Sequence, residues 1–291
     1  MVAHYTNDCC PFSHRAMFAR ALRPPAEPVP VQYVPYSRQL ELAEKRGLDA
    51  LKGRAAEPFK GKTLEQVQAL KERYKQDVNP GGEVPSLVTA SGAVITESEI
   101  VAEYFDKVSV SSTPKLVPDD AVAASQVRMA MKKFNDVVPL LFALLRNQDP
   151  SKDLELGQRI RANLDKFAAV LDDDTSNFCV GGTCTLADVH SVPVLYRLSV
   201  GLQHWRSFRL LANARISKLL DAVTAMPEFQ NGSLSKEEIV ANYEANAHGM
   251  QWAADGNSFG GRGQSQFGLG RLGGRVTLHY LPVRGRAEAL R

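Results

Sequence analysis

Cysteine is scarce. Four thiols in 291 residues are too few to staple a fold of this length, and the adjacent pair Cys9-Cys10 is badly placed to bridge to itself. A disulfide framework is therefore excluded, and a reducing, cytoplasmic setting is expected. Net charge is scarce too: 35 basic against 32 acidic residues leave +3, mixed along the chain, so no basic field argues for nucleic acid. Long apolar runs are missing. The longest, Val137 to Leu145, is far short of the roughly 20 residues that span a bilayer and reads as a buried helix, so no membrane partner is expected. Met1 to Tyr5 lacks the basic start and apolar core of a secretory signal and runs directly into strand-forming residues.

What is present suits a folded protein. Hydrophobic residues make up 44% and charged residues 23%, enough to bury real cores, and the length predicts two domains. The first third alternates strand-like and helical runs: Ala3 to Thr6, Pro11 to Arg23, Val29 to Tyr36, Ser86 to Thr89 and Ala93 to Ile95. That alternation predicts a small α/β unit over 1–108. Glu97 to Val108 closes it as a helix, with Ile100, Val101, Tyr104 and Phe105 expected on the buried face. A charged insertion, about 39–78, carries a capping box at Thr63 and Gln66 followed by the stripe Leu64, Val67, Leu70 and Tyr74, which predicts extra surface helices.

Beyond it the periodicity is helical, in segments Ala121 to Asn147, Glu155 to Asp172, Leu186 to Val200, Ala212 to Ala225 and Lys236 to Ala247. An all-helical domain over 114–250 is predicted. Glycine dominates the following stretch, 251–275, which reads as a linker, and 276–291 returns to a strand and the opening of a helix.

Cys10-Pro11-Phe12-Ser13 stands between a strand and a helix, with Pro11 at the first helical position, where its missing N–H does no harm. The Cys10 thiol is thus predicted at a helix N-terminus, where free N–H groups and the helix dipole favour a thiolate. Arg15, and His14 when protonated, would add positive charge. A dithiol redox motif has its second cysteine three residues on, but Ser13 holds that place. Monothiol chemistry is implied, with an external small thiol completing turnover. Cys9, one residue further from the helix amides, is ranked as a bystander, as are Cys179 and Cys184. Cys179, Cys184 and His190 lack a fourth ligand at usual spacing, so no metal is expected.

Three blocks together resemble the cytosolic glutathione transferases of the cysteine type, the omega, lambda and dehydroascorbate reductase classes. They are Cys10-Pro11-Phe12-Ser13-His14-Arg15; Asn79-Pro80-Gly81-Gly82-Glu83-Val84-Pro85 continuing through Ile95-Thr96-Glu97-Ser98 to Pro118-Asp119-Asp120; and Phe178-Cys179-Val180-Gly181-Gly182 with Thr185-Leu186-Ala187-Asp188. The resemblance implies a thioredoxin-like α/β domain followed by an all-α domain, glutathione as co-substrate without a metal, and a homodimer. It implies Cys10 as the catalytic residue and Phe12, Val84, Pro85, Glu97 and Ser98 as the glutathione site. There a cis Val84-Pro85 bond presents the valine backbone to the cysteinyl part, Ser98 takes the γ-glutamyl carboxylate and Glu97 its α-amino group. Thr185 and Asp188 resemble the capping pair of the second domain, with a structural role. One of Lys60, Lys62, Lys71 and Lys75 would meet the glycyl carboxylate. The helix of Met131 and Phe134 would wall the acceptor pocket, unless both residues are core.

The implied activity is glutathione-dependent thiol transfer or reduction: removal of glutathione from mixed disulfides, dehydroascorbate reduction, and some conjugation, on a small electrophile, disulfide or oxidised acceptor. The other class is a non-catalytic docking or assembly module on the same fold. Leu278-His279-Tyr280 with Arg284-Gly285-Arg286-Ala287-Glu288 resembles the opening of a tyrosine-type transferase, which implies Tyr280 as an activating hydroxyl in a second module of a tandem fusion.

Overall fold

The computed structural model describes residues 2–172, 175–210 and 213–249; the glycine-rich linker and Tyr280 lie outside the described residues. Strand β1 (Ala3–Thr6) leads into helix α1 (Pro11–Leu22) and strand β2 (Val31–Tyr33). Helices α2 (Ser37–Arg46) and α3 (Leu64–Asp77), joined by three short 3-10 turns, precede strands β3 (Ser86–Val88) and β4 (Val94–Ile95) and helix α4 (Ser98–Val108). The sheet order is β2-β1-β3-β4, with β1 parallel to β2 and antiparallel to β3, and β3 antiparallel to β4. The parallel β1–β2 pair needs a crossover, which α1 supplies.

The second half is helical: α5 (Ala121–Asn135), α6 (Val138–Arg146), α7 (Asp153–Ala168), α8 (Leu186–Arg206), α9 (Ala214–Thr224), the short α10 (Pro227–Gln230) and α11 (Lys236–Ala247). The architecture is therefore a thioredoxin-like α/β domain followed by an all-α domain. Helix α8 runs through the middle of the core, with Val189, Val192, Leu195, Leu198 and Leu202 all fully buried. No described helix is long and apolar enough to cross a membrane.

Two helix boundaries and one buried face differ from the sequence expectation for identifiable reasons. The segment expected from Ala121 to Asn147 breaks near Asp136, because Pro139 sits in the first turn of a new helix, α6. Helix α8 continues past Val200 to Arg206, whose buried guanidinium donates to the Leu144 and Leu145 carbonyls at 3.1 and 2.6 Å and so anchors the last turn. In α4 the buried face is Ser98, Val101, Ala102, Phe105 and Asp106, a regular helical stripe. That stripe leaves Ile100 exposed at 47%, a correction to its expected burial. Asp106 earns its place in the interior: its carboxylate accepts from the backbone N–H groups of Leu116 and Val117 at 2.8 and 3.0 Å and lies 3.0 Å from Arg23 Nε, so it ties the interdomain connection to α1 and α4.

The two halves share one core. Phe18 and Ala19 of α1 and Ala102 of α4 belong to the same buried cluster as the helices α5 to α11. Phe229 of α10 packs against His14 and Phe18, with ring centroids 4.5 and 5.5 Å apart.

Candidate active site

Cys10 is the N-cap of α1 and Pro11 follows at the first helical position, as the sequence predicts. Ser13 N–H donates to Cys10 Sγ at 3.3 Å, and the Val84 carbonyl lies 3.6 Å from the same sulfur. The Val84-Pro85 peptide is cis. The turn before it is built by Asn79, whose side chain donates to Glu83 O at 3.1 Å and accepts from Gly81 N at 3.1 Å, and by Tyr74, whose hydroxyl bonds Glu83 O and Ser86 Oγ. Gly82, at φ +73°, supplies a left-handed residue in that turn.

No motif marks Tyr36, which packs against the cluster of Cys10, Val34, Tyr74 and Val84. Burial pushes its hydroxyl well above the ordinary tyrosine range, and the Cys10 sulfur, to which it is hydrogen-bonded, pushes in the same direction. Three groups thus converge on one sulfur: a helix N–H, a phenolic hydroxyl and a carbonyl.

The turn that presents Cys10 is held from several sides. Asn7 Oδ1 accepts from Cys9 N at 2.8 Å, and its Nδ2 donates to Val34 O at 2.7 Å and Gln39 Oε1 at 2.8 Å. From the helical domain Arg197 donates to Asp8 O at 2.8 Å and Asn242 to Cys9 O at 3.0 Å. Arg54, in the insertion, donates to Asp8 Oδ2 at 3.2 Å. Cys9 is directed to this other side, with Gln39 Nε2 at 3.9 Å from its sulfur. Burial pushes the Cys9 thiol up to about 12, only partly opposed by Arg197.

Ser98 opens α4, buried, after Glu97, which is exposed and adopts φ 65°. A non-glycine residue at positive φ is strained, a feature that concentrates at functional sites. Arg15 Nη1 donates to Ser98 Oγ at 3.2 Å, and its guanidinium lies over the Phe12 ring at 4.8 Å. His14 corrects the expectation of added charge. Its Nε2 donates to Phe229 O at 2.9 Å, and burial, with Arg197 next, holds its pKa well below the usual histidine range, so the ring is neutral.

The four candidate lysines separate. Lys60 pairs with Glu57 at 2.6 Å on the exposed surface, and Lys62 is exposed. Lys75 lies along Gly82, while Lys71 is buried and donates to Ser37 Oγ, one residue from Tyr36. Phe134 is fully buried against Phe167 and His190, and Met131 packs on the same core. Phe134 is thus a core residue, with Met131 half-buried at its edge.

Thr185 and Asp188 form the cap of α8: Asp188 Oδ2 accepts from Thr185 N and Oγ1, each at 2.7 Å, and Oδ1 from Cys179 N at 2.7 Å. Cys179 and Cys184 are buried, and burial pushes both thiols well up. His190 turns to Asn135 Oδ1 at 2.8 Å. Among the described residues no three His, Cys, Asp or Glu side chains are grouped as metal ligands.

Residues 9–108 match the family described as glutathione S-transferase, N-terminal domain. The chain is similar to glutathione S-transferase omega-1 of Mus musculus, 29% identical over 120 residues, which are 41% of this chain and 49% of the mouse protein. It is also similar to glutathione S-transferase DHAR2 of Arabidopsis thaliana, 23% identical over 179 residues, 60% of this chain and 76% of that protein. The match to the mouse protein thus spans about half of its length. Among solved structures, glutathione transferase Omega 2C of Trametes versicolor superposes with a TM-score of 0.59 at 20% identity, covering 84% of this chain and 98% of that one, a likeness of fold.

Proposed function

We infer, for a chain with a glutathione S-transferase N-terminal domain over residues 9–108, a glutathione-dependent thiol transferase or reductase in which Cys10 is the nucleophile. The observation that carries this reading is the Cys10 sulfur at the head of α1, accepting the Ser13 N–H, with no cysteine at the Ser13 position. A helix N–H and dipole favour charge on that sulfur, and the missing local partner leaves a second small thiol to finish the cycle.

In the proposed cycle the Cys10 thiolate attacks the glutathionyl sulfur of a mixed disulfide. A Cys10–glutathione disulfide forms, the acceptor's sulfur leaves with the electron pair and takes up a proton as a free thiol. The thiolate of a second glutathione then attacks the glutathionyl sulfur of that disulfide, releasing oxidised glutathione and the Cys10 thiolate. The net change is one mixed disulfide and one glutathione converted to one thiol and one glutathione disulfide. With dehydroascorbate as acceptor the first step differs: the Cys10 thiolate adds to a carbonyl carbon, a glutathione thiolate attacks the Cys10 sulfur and expels ascorbate with the electron pair, and the resulting Cys10–glutathione disulfide is resolved by a second glutathione as before. Reduction is favoured over aromatic conjugation because a cysteine forms a covalent adduct where a tyrosine or serine hydroxyl only activates bound thiol.

Glutathione would lie from the Val84 backbone, beside the sulfur, to Glu97 and Ser98 at the head of α4, with Pro85 and Phe12 shaping the cleft. Lys71 is the candidate for the glycyl carboxylate, being the lysine next to the Ser37–Tyr36 step. A homodimer is part of this reading, checked by sedimentation. The test of the chemistry is a deglutathionylation assay: Cys10→Ala is expected to remove turnover and Cys9→Ala to spare it. Equal loss in both variants would sink the assignment. Retention of glutathione with no turnover in the unmodified protein would favour the docking-module reading instead.

A further inference from the structure

Arg15 is an odd cation. It is 4% exposed, in the second turn of α1, and forms no ion pair with a carboxylate among the described residues. Nη1 donates to Ser98 Oγ at 3.2 Å, yet Nε and Nη2 are buried with no partner among the described residues. Burial draws the guanidinium down to about 9, with Glu99 and Cys10 opposing the shift. A buried guanidinium with unmatched donors is costly, and one planar acceptor with two oxygens answers that cost because it matches the fork of N–H groups.

We propose that Arg15, with Ser98, forms the carboxylate subsite for the γ-glutamyl end of glutathione, supplying the charge that Ser98 lacks. The assignment rests on the glutathione reading above and deepens it. The γ-glutamyl end is a zwitterion, an α-ammonium beside an α-carboxylate. The structure sets an exposed anion, Glu97, next to the buried Ser98 hydroxyl that Arg15 already touches, so both charges find an opposite. Because Cys10 and Arg15 ride on the same helix, α1 would fix both the reacting sulfur and the far end of the tripeptide. A thiol without the α-carboxylate would leave the buried guanidinium uncompensated, which makes Arg15 a specificity residue for glutathione over other small thiols.

The test compares two ligands on two proteins by calorimetry: glutathione and 4-aminobutanoyl-cysteinylglycine, which lacks only the α-carboxylate, against the unmodified chain and Arg15→Met. The unmodified chain is expected to prefer glutathione by about ten- to a hundredfold, and Arg15→Met to lose most of that preference by weakening glutathione while leaving the analogue within about twofold. A preference that survives in Arg15→Met, or an equal loss for both ligands, overturns the assignment and leaves the glutathione reading standing. An unmodified chain that binds neither ligand overturns that reading, and the assignment with it. Should Arg15→Met fail to fold, a crystal structure of the unmodified chain with glutathione decides. An Arg15 nitrogen within about 3.2 Å of the α-carboxylate supports the assignment, and a carboxylate held by Ser98 and backbone amides alone refutes it.

Discussion

Cys9 and Cys10 carry the same side chain one peptide apart, both buried, and the fold gives them different hydrogen-bond partners. Cys10 receives a helix N–H and the Tyr36 hydroxyl. Cys9 faces Gln39 in an interior that pushes its thiol up to about 12. At pH 7.5 a thiol titrating there is ionised in roughly one molecule in 10,000 or fewer, and the thiolate is the nucleophile. Alkylation with iodoacetamide at pH 7.5, mapped by peptide mass, should therefore label Cys10 and leave Cys9, Cys179 and Cys184 unmodified until the protein unfolds; rapid labelling of Cys9 would contradict the assigned environments. A second residue-scale expectation concerns Lys71. If its ammonium meets the glycyl carboxylate, Lys71→Met raises KM for glutathione by about five- to twentyfold with kcat little changed, since a charge-assisted hydrogen bond made equally in ground and transition states is lost. A fall in kcat alone would place Lys71 elsewhere.

At the scale of elements, helix caps are legible in the sequence, and contacts with distant partners are not. The head of α1 was legible because Cys10-Pro11 is a cap followed by a first-turn proline, and α3 because Thr63 and Gln66 cap each other. Tyr36, Asn7, Gln39 and Arg197 carried no such mark. Their roles arise from contacts across tens to hundreds of residues, such as Arg197 to Asp8, which no periodicity encodes. His14 shows the same limit: a charge inferred from proximity in sequence disappears once Phe229, 215 residues away, buries the ring. In α4 the hydrophobic pattern places Ile100 inside, but two polar residues, Ser98 and Asp106, take the interior positions that such a pattern assigns to solvent. The cap of α8 offers a test at this scale. Asp188 accepts three hydrogen bonds in the interior, so Asp188→Ala leaves the Thr185 and Cys179 N–H groups unmatched. A loss of about 3 kcal/mol in urea unfolding is expected, with turnover per folded molecule retained. A loss under about 0.5 kcal/mol, ordinary for an exposed site, would show that the cap is dispensable.

At the scale of the whole molecule, two buried histidines couple protonation to folding, one inside the α/β domain and one where that domain meets the helices. His4 in β1 lies against Phe105, with ring centroids 5.3 Å apart, and burial, with Arg20 next, lowers its pKa to about 3. His14 of α1 faces α10, its protonation opposed by burial and then by the Arg197 charge, favoured less strongly by the Phe229 carbonyl, and opposed least by Arg54. Both rings are neutral in the folded protein and titrate near 6.5 in the unfolded chain. Since the folded values are depressed, the unfolded state takes up protons first. Their contribution to stability is complete above about pH 6.5 and shrinks as the pH falls below it, by about 1.4 kcal/mol per ring by pH 5.5. The denaturation midpoint should thus fall between pH 7.5 and 5.5. His14→Gln, which can still donate to the Phe229 carbonyl, should flatten that fall by roughly one ring's share. A midpoint that holds steady or rises on acidification would mean that these rings are charged in the fold, and that α10 does not seal the junction between the α/β domain and the helices as the packing of His14, Phe18 and Phe229 requires.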